Sequence, residues 1–309
     1  MKQPRAVYSG FTLIEMSIVL VIIGLIVGGV LVGQSLINAA ALRATVSQIE
    51  KYNQAANAFY GKYGYLPGDI PAGPAAQFGF AARGTASGQG DGNGVIQGSV
   101  NGGMMEGGGE TAMFWVDLST VGLIAGSFSA AVATSCPYTL TSTSNPNLNA
   151  FFPAAKLGQG NYIYVWSGPF NGAELPGNIN SFGISALTAV GGCGNAPVSN
   201  PALTVSQAYA IDSKIDDGLP QSGNVLALYI NFAVSTSTGS WAASGGVEGA
   251  HTSGWSATGN QPTTAATPGS TTTCYDNGNA AGTPQQYSVE ISNGSNTNCA
   301  LSFKMQAGD

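Results

Sequence analysis

Few side chains in this chain are of a type that does chemistry. Among 309 residues there is one histidine, His251, set in a Gly/Ser/Thr-rich stretch. A single imidazole excludes a His-rich metal centre and leaves little for acid–base catalysis. Serines are plentiful, but none forms the G-x-S-x-G elbow that opens a helix in serine hydrolases. The glycines of residues 88–94 do not link a strand to a helix, so they form no phosphate cradle. The sequence therefore reads as a non-enzyme. What remains is a lone carboxylate, Glu15, inside an apolar run, together with two acidic groupings and four cysteines.

Oxygen-rich groupings suit a hard divalent cation, and calcium is the candidate. Asp91-Gly92-Asn93-Gly94 begins like a calcium loop. The EF-hand pattern then requires an oxygen ligand where Val95 stands and a glutamate where Gly102 stands, so that motif fails. A site of another kind over Asp91 and Asn93 stays open. Asp212 and Asp216 are four apart, on one face of an expected helix, with Asp217 beside them. Solvated acidic turns are the plain alternative for both groupings. Cys136, Cys193, Cys274 and Cys299 allow three disulfide pairings. None lies in a C-x-x-C spacing, so zinc and thioredoxin-like chemistry fit poorly.

The elements that carry these residues start with an apolar helix. A short leader with Lys2 and Arg5 precedes a run from Phe11 to Leu42 whose one ionisable residue is Glu15. From Met16 to Gly33 only Ser17 is polar. As a helix that run is ~27 Å long, close to the ~30 Å of a bilayer core. Lys2 and Arg5 place the leader in the cytoplasm and the rest of the chain outside. A cleavable secretory signal ending near Ala39-Ala40-Ala41 is the competing reading. Its apolar stretch would be only ~7–15 residues, and it would not begin with a carboxylate. A carboxylate at mid-membrane costs ~2.5–3.5 kcal/mol and calls for a partner. Charged residues make up 8% of the chain, against roughly 25% in ordinary domains. The surface must then be built from Gly, Ser, Thr, Asn and Ala. Nine scattered Lys and Arg residues argue against nucleic acid as a partner.

The string Gly10-Phe11-Thr12-Leu13-Ile14-Glu15 resembles the processing site of type IV prepilins and type II secretion pseudopilins. The resemblance implies a prepilin peptidase that cuts between Gly10 and Phe11 and N-methylates Phe11. It implies an assembly role for Glu15, which would neutralise the Phe11 amine of its own or a neighbouring subunit. It implies further partners: copies of the chain in a helical filament, the membrane, and the inner-membrane assembly platform of a pilus or secretion system. The precursor would sit in the bacterial inner membrane with its head in the periplasm. Disulfides persist there, and Cys136–Cys193 with Cys274–Cys299 is the favoured pairing. Heads in this family can hold calcium, and no other cofactor is implied. The segments YLPGDI, GDGNG and AYAIDSKIDDGLPQSGNV are similar to parts of longer pilin-like proteins. Many type IV pilins carry a proline in the membrane half; its absence here leans towards the pseudopilins. A membrane-tethered or filament-tip adhesin, a minor pilin, is the alternative.

Four segments follow: a leader at 1–10, a membrane half of the helix at 11–36, an amphipathic half at 37–65, and a head at 66–309. In the amphipathic half Leu42, Val46, Ile49, Tyr52, Ala56, Phe59 and Tyr63 recur every three or four residues. Pro67-Gly68 marks the stop. In the head we expect an irregular loop over 79–109, a helix from Glu110 to Gly122 and a strand at Asn161–Ser167. A second helix should start at Asn200-Pro201 and run to Asp217. Strands are expected at Asn224–Val234, Gln286–Ser292 and Ala300–Met305, with loops over 235–282. The fold class is α+β: a long N-terminal helix packed on a small antiparallel sheet with long Gly/Ser/Thr-rich loops, pilin-like.

Overall fold

Apolar periodicity uninterrupted by proline yields one long helix, α1, over Leu13–Tyr63. The computed structural model describes residues 10, 12–81, 83, 90–98, 109–128, 148–168, 179–189, 198–230, 239–242, 273–276 and 284–308. At 51 residues α1 is ~75 Å long. Gly64 stops it in a left-handed conformation, with Lys62 in the last turn favourable to the helix dipole. Almost every residue from Leu13 to Ala40 is exposed; Leu13 itself is 89% exposed. From Thr45 onward the helix buries Val46, Ile49, Tyr52, Ala56 and Phe59 against the head. The switch from apolar all round to apolar on one face is thus visible in the packing.

In chain order the further elements are α2 (Ala72–Gln77), α3 (Glu110–Thr120), β1 (Asn161–Gly168), β2 (Ile179–Ala189), β3 (Val198–Asn200), α4 (Val205–Ile215), β4 (Val225–Leu226), β5 (Leu228–Ile230), β6 (Gly239–Trp241), β7 (Tyr275–Asp276), β8 (Gln286–Tyr287) and β9 (Leu301–Lys304). The main sheet runs β1-β2-β9-β4, with β3 also paired to β2, and every pairing is antiparallel. Two small hairpin pairs, β5–β6 and β7–β8, lie beside it. The core joins α1, α3 and the sheet through aromatic edges. Trp115 meets Tyr52 edge-on at 5.0 Å between ring centroids, and Phe114 meets Phe182 at 5.9 Å. The architecture is the expected one: a long apolar N-terminal helix plus a small antiparallel sheet, α+β and pilin-like.

Several boundaries differ from the sequence reading. Asn200 ends strand β3, and Pro201 does not open a helix. α4 starts after Thr204, whose side chain accepts from the Gln207 N–H at 3.1 Å while Gln207 caps the Thr204 N–H at 2.9 Å. A reciprocal capping box satisfies two helix-end donors, which Asn-Pro cannot do here. The expected strand from Asn224 is broken at Ala227, whose N–H donates to Pro220 O rather than to a ladder partner. After Tyr287 the chain turns into a 3-10 segment, Ile291–Gly294, instead of continuing as strand. Residues 231–238 and 243–272 lie outside the described residues, as do Cys136 and Cys193; His251 falls in the second stretch.

The C-terminal strand β9 sits inside the sheet, between β2 and β4. Cys274 and Cys299 are joined by a disulfide, both fully buried. Cys299 also exchanges both backbone hydrogen bonds with Leu203, just before α4. One covalent link therefore ties the β7–β8 hairpin to β9 and to the α4 entry. Replacing both cysteines by serine should lower unfolding free energy by about 3 kcal/mol, by loop-closure entropy over a separation of 25 residues. Urea titration of the detergent-solubilised chain, followed by tryptophan fluorescence, checks this; an unchanged midpoint would contradict it.

Candidate functional site

Glu15 occupies the third position of α1, where an acidic side chain faces the positive end of the helix dipole. Thr12 is the N-cap in extended conformation. The Thr12 N–H donates to Glu15 Oε2 at 2.8 Å, and the Thr12 hydroxyl donates to the same oxygen at 2.7 Å. In return the Glu15 N–H donates to Thr12 Oγ1 at 3.3 Å. This capping box turns the carboxylate back towards the start of the helix. The nitrogen of residue 11 is the next backbone nitrogen upstream of the N–H that Glu15 already accepts. Gly10 is exposed. Phe11 lies outside the described residues, and with it the geometry of the cleavage bond and of any Phe11–Glu15 pair.

In the head, two carboxylates organise the glycine-rich loop. Glu110, fully buried at the start of α3, accepts from the Gly90 N–H at 2.9 Å, the Asp91 N–H at 3.3 Å and the Gln97 N–H at 2.7 Å. Asp69 accepts from the Gly92 N–H at 2.7 Å and the Gly94 N–H at 2.8 Å. Gly90 has a left-handed φ of 72°, and a Cβ there would overlap the Ile70 carbonyl. Only glycine lets the loop pass so close. Burial is the main cause that pushes both carboxyls above the ordinary range. The Asp69 charge raises Glu110 further, against the Gln97 N–H. Asp117, two turns along α3, accepts from the Gly68 N–H at 2.7 Å and pairs with Arg83, both side chains buried.

The sequence-derived metal candidates are placed differently from one another. Asp91 joins Asp69 and Glu110, with carboxylate oxygens within 4.8 Å of one another. Asn93 is engaged locally: its Nδ2 donates to Asp91 Oδ2 at 2.9 Å, and its Oδ1 accepts from the Val95 N–H at 2.7 Å. Asp212, Asp216 and Asp217 converge within the same 4.8 Å limit. Asp212 lies on α4, and Asp216 is its C-cap rather than a helical residue. Asp212 accepts from the Tyr287 hydroxyl at 2.8 Å and the Gly218 N–H at 3.1 Å. Asp216 accepts from the Asn224 N–H and, at 3.1 Å, from the Val225 N–H. Asp217 accepts from the Leu219 N–H at 2.9 Å and the Ser222 hydroxyl at 2.6 Å. Burial first, and the neighbouring Asp217 and Asp216 charges after it, push Asp212 up to about 7, against the Tyr287 and Gly218 hydrogen bonds. Either cluster offers hard oxygen ligands of the kind calcium takes. Asp69 and Glu110 were absent from the sequence candidates. Their only sequence signals are a turn acid after Pro67-Gly68 and an acid in the first turn of a helix.

Residues 5–31 match the family described as the prokaryotic N-terminal methylation motif, the prepilin-type cleavage and methylation signature. The matched stretch contains Gly10, Phe11, Thr12, Glu15 and the exposed first turns of α1. No curated protein and no solved structure matches the chain. The motif and the helix together mark a pilin- or pseudopilin-like protein with a helix able to span a membrane.

The raised carboxyls set a pH dependence with a definite sign. A carboxyl whose folded pKa exceeds its unfolded one contributes full stability below the unfolded value, near 4 for Asp. That contribution is lost as pH rises through the folded value, about 7 for Asp212. In the presence of a chelator, the melting temperature of the head should therefore fall between pH 5 and pH 8, and Asp212→Asn should flatten the fall. A melting temperature that is constant or rises across this range would contradict the assignment.

Proposed function

We propose that this chain is a structural subunit of a type II secretion pseudopilus or type IV pilus. It is made as a prepilin, cut between Gly10 and Phe11, N-methylated on Phe11 and polymerised through α1. One observation carries this reading: the methylation motif at residues 5–31 begins a helix whose first half stands exposed, away from the described residues of its own head. Lys2 and Arg5 keep the leader cytoplasmic and the head periplasmic. The partners are further copies of the chain, the prepilin peptidase, the membrane and the inner-membrane assembly platform.

In this reading cleavage creates a cation on Phe11 next to the carboxylate that the Thr12 capping box already holds. Methylation keeps the positive charge, so the pair survives it. A carboxylate in lipid is penalised unless paired, so the pair favours incoming subunits in the correct register. Thr12 acts as a positioning residue that fixes the Glu15 rotamer. Calcium is the cation this reading assigns to Asp212, Asp216 and Asp217, whose mutual repulsion it would relieve. Calorimetric titration of the purified chain with calcium reads the binding directly, and absence of heat together with an unmoved melting temperature would remove it.

Glu15→Ala should be inserted, cut and methylated like the natural chain but give no filaments by electron microscopy. Thr12→Ser, which keeps the capping hydroxyl, should assemble. Filaments of normal abundance from Glu15→Ala would contradict the proposal.

A further inference from the structure

Residues 299–308 cross the whole head. Cys299 exchanges backbone hydrogen bonds with Leu203, at 2.9 and 3.0 Å, beside the entry to α4. β9 then fills the gap between β2 and β4, and β4 has no other strand partner among the described residues. The buried Ser302 hydroxyl donates to the Leu228 carbonyl at 2.7 Å and accepts from Trp166 Nε1 at 3.2 Å. At the end of the strand the Lys304 N–H donates to the Asn224 carbonyl, and the Met305 N–H to the Asn180 carbonyl, both at 2.8 Å. The Gln306 N–H donates to Asn53 Oδ1 at 3.1 Å, on the amphipathic half of α1. Gly308 lies beside the Leu66 side chain, just past the end of α1. One strap thus joins α4, the sheet and the long helix.

The strap has little to hold it by itself. β9 pairs with Ser181–Ile184 of β2 and with only Val225 and Leu226 of β4. Each residue it orders costs backbone entropy. The Cys274–Cys299 disulfide sits at its start and fastens it to the head beside β7, which reduces that cost. Both cysteines are fully buried. A thiol in solution therefore reaches either sulfur only when the strap opens locally.

We propose that residues 299–308 are a redox-gated strap, whose closure between β2 and β4 and onto α1 waits for the Cys274–Cys299 disulfide to form. The proposal rests on the reading that puts the head outside the membrane, in an oxidising compartment. There the two thiols lose two protons and two electrons as the S–S bond forms, and a disulfide-bearing oxidant is reduced to its dithiol in exchange. Before that step β4 lacks its strand partner and α1 lacks the Asn53 bond, so the chain stays open while it crosses the membrane. After it, strap, sheet and helix close together. The coupling runs both ways: whatever holds the strap on α1 also shields the disulfide.

Two measurements on the detergent-solubilised full-length chain test this. Reduction of the Cys274–Cys299 bond by a small thiol without denaturant, followed by mass mapping, should run about fivefold faster in Asn53→Ala, which removes one net hydrogen bond from the closed strap. In the Cys274→Ser, Cys299→Ser double variant, hydrogen-exchange protection should fall about 100-fold over residues 299–308, β4 and Thr45–Phe59, while the β1–β2 pair keeps its protection. Three results overturn the proposal and leave the membrane reading intact: an unchanged reduction rate in Asn53→Ala, equal protection in the serine variant and the natural chain, or a loss spread evenly over β1 and β2 as well. Free thiols at Cys274 and Cys299, in the chain made with its native membrane machinery, would put the head in a reducing compartment and remove that reading together with this proposal.

Discussion

Half of α1 has no partner among the described residues of its own chain, and the rest of the structure follows from that. Leucine, isoleucine and valine side chains from Leu13 to Ile37 stand exposed. Each would gain about 1.5–3 kcal/mol by leaving water. Such a helix must lie in lipid or against other apolar helices. Between those two environments hydrophobicity scarcely discriminates, because lipid tails are as apolar as leucine. The polar exception, Glu15, is then what distinguishes one register from another. Its capping box with Thr12 keeps the carboxylate at the helix start, where a new amine would appear after cleavage between Gly10 and Phe11.

The head solves a different problem with the same residue type. A chain with 45 glycines loses much backbone entropy on folding and has few charges with which to fix its loops. Buried carboxylates do the fixing. Glu110 and Asp69 gather the N–H groups of Gly90, Asp91, Gly92, Gly94 and Gln97, and the half-buried Asp216 gathers those of Asn224 and Val225. A carboxylate accepts several N–H groups at once, and such bonds are stronger than neutral ones. The cost is desolvation, which appears as the upward displacement of Glu110 and Asp69. The disulfide between Cys274 and Cys299 and the inner position of β9 complete the head from its C-terminal end.

How much of this was legible in the sequence depended on whether the signal was local. The α1 helix, its amphipathic switch, α3, β1 and the Gly10–Glu15 motif are all written in consecutive residues. Strand β2 was not foreseen, although it is the longest among the described residues. Its sequence includes Ser181, Gly183 and Ser185, small residues that do not read as core. Ser185 is buried because its hydroxyl lies 3.0 Å from the Tyr164 hydroxyl and bonds Ser199 at 2.8 Å, and Gly183 leaves space for the Tyr164 ring. The start of α4 was legible in principle from Thr204 and Gln207, but Asn200-Pro201 offered a nearer, false signal. The Asp69–Glu110 clasp joins residues 41 positions apart in the numbering, and no spacing rule links them before the chain has folded.

Prepilin processing between Gly10 and Phe11 is tested directly by the mature N-terminus. Mass spectrometry of the chain produced with its native membrane machinery should find N-methylated Phe11 as the first residue. An N-terminus near Ala41 or Leu42 would mean that the apolar helix is discarded as a secretory signal. Glu15 would then have no role, and a soluble secreted head would replace the filament subunit.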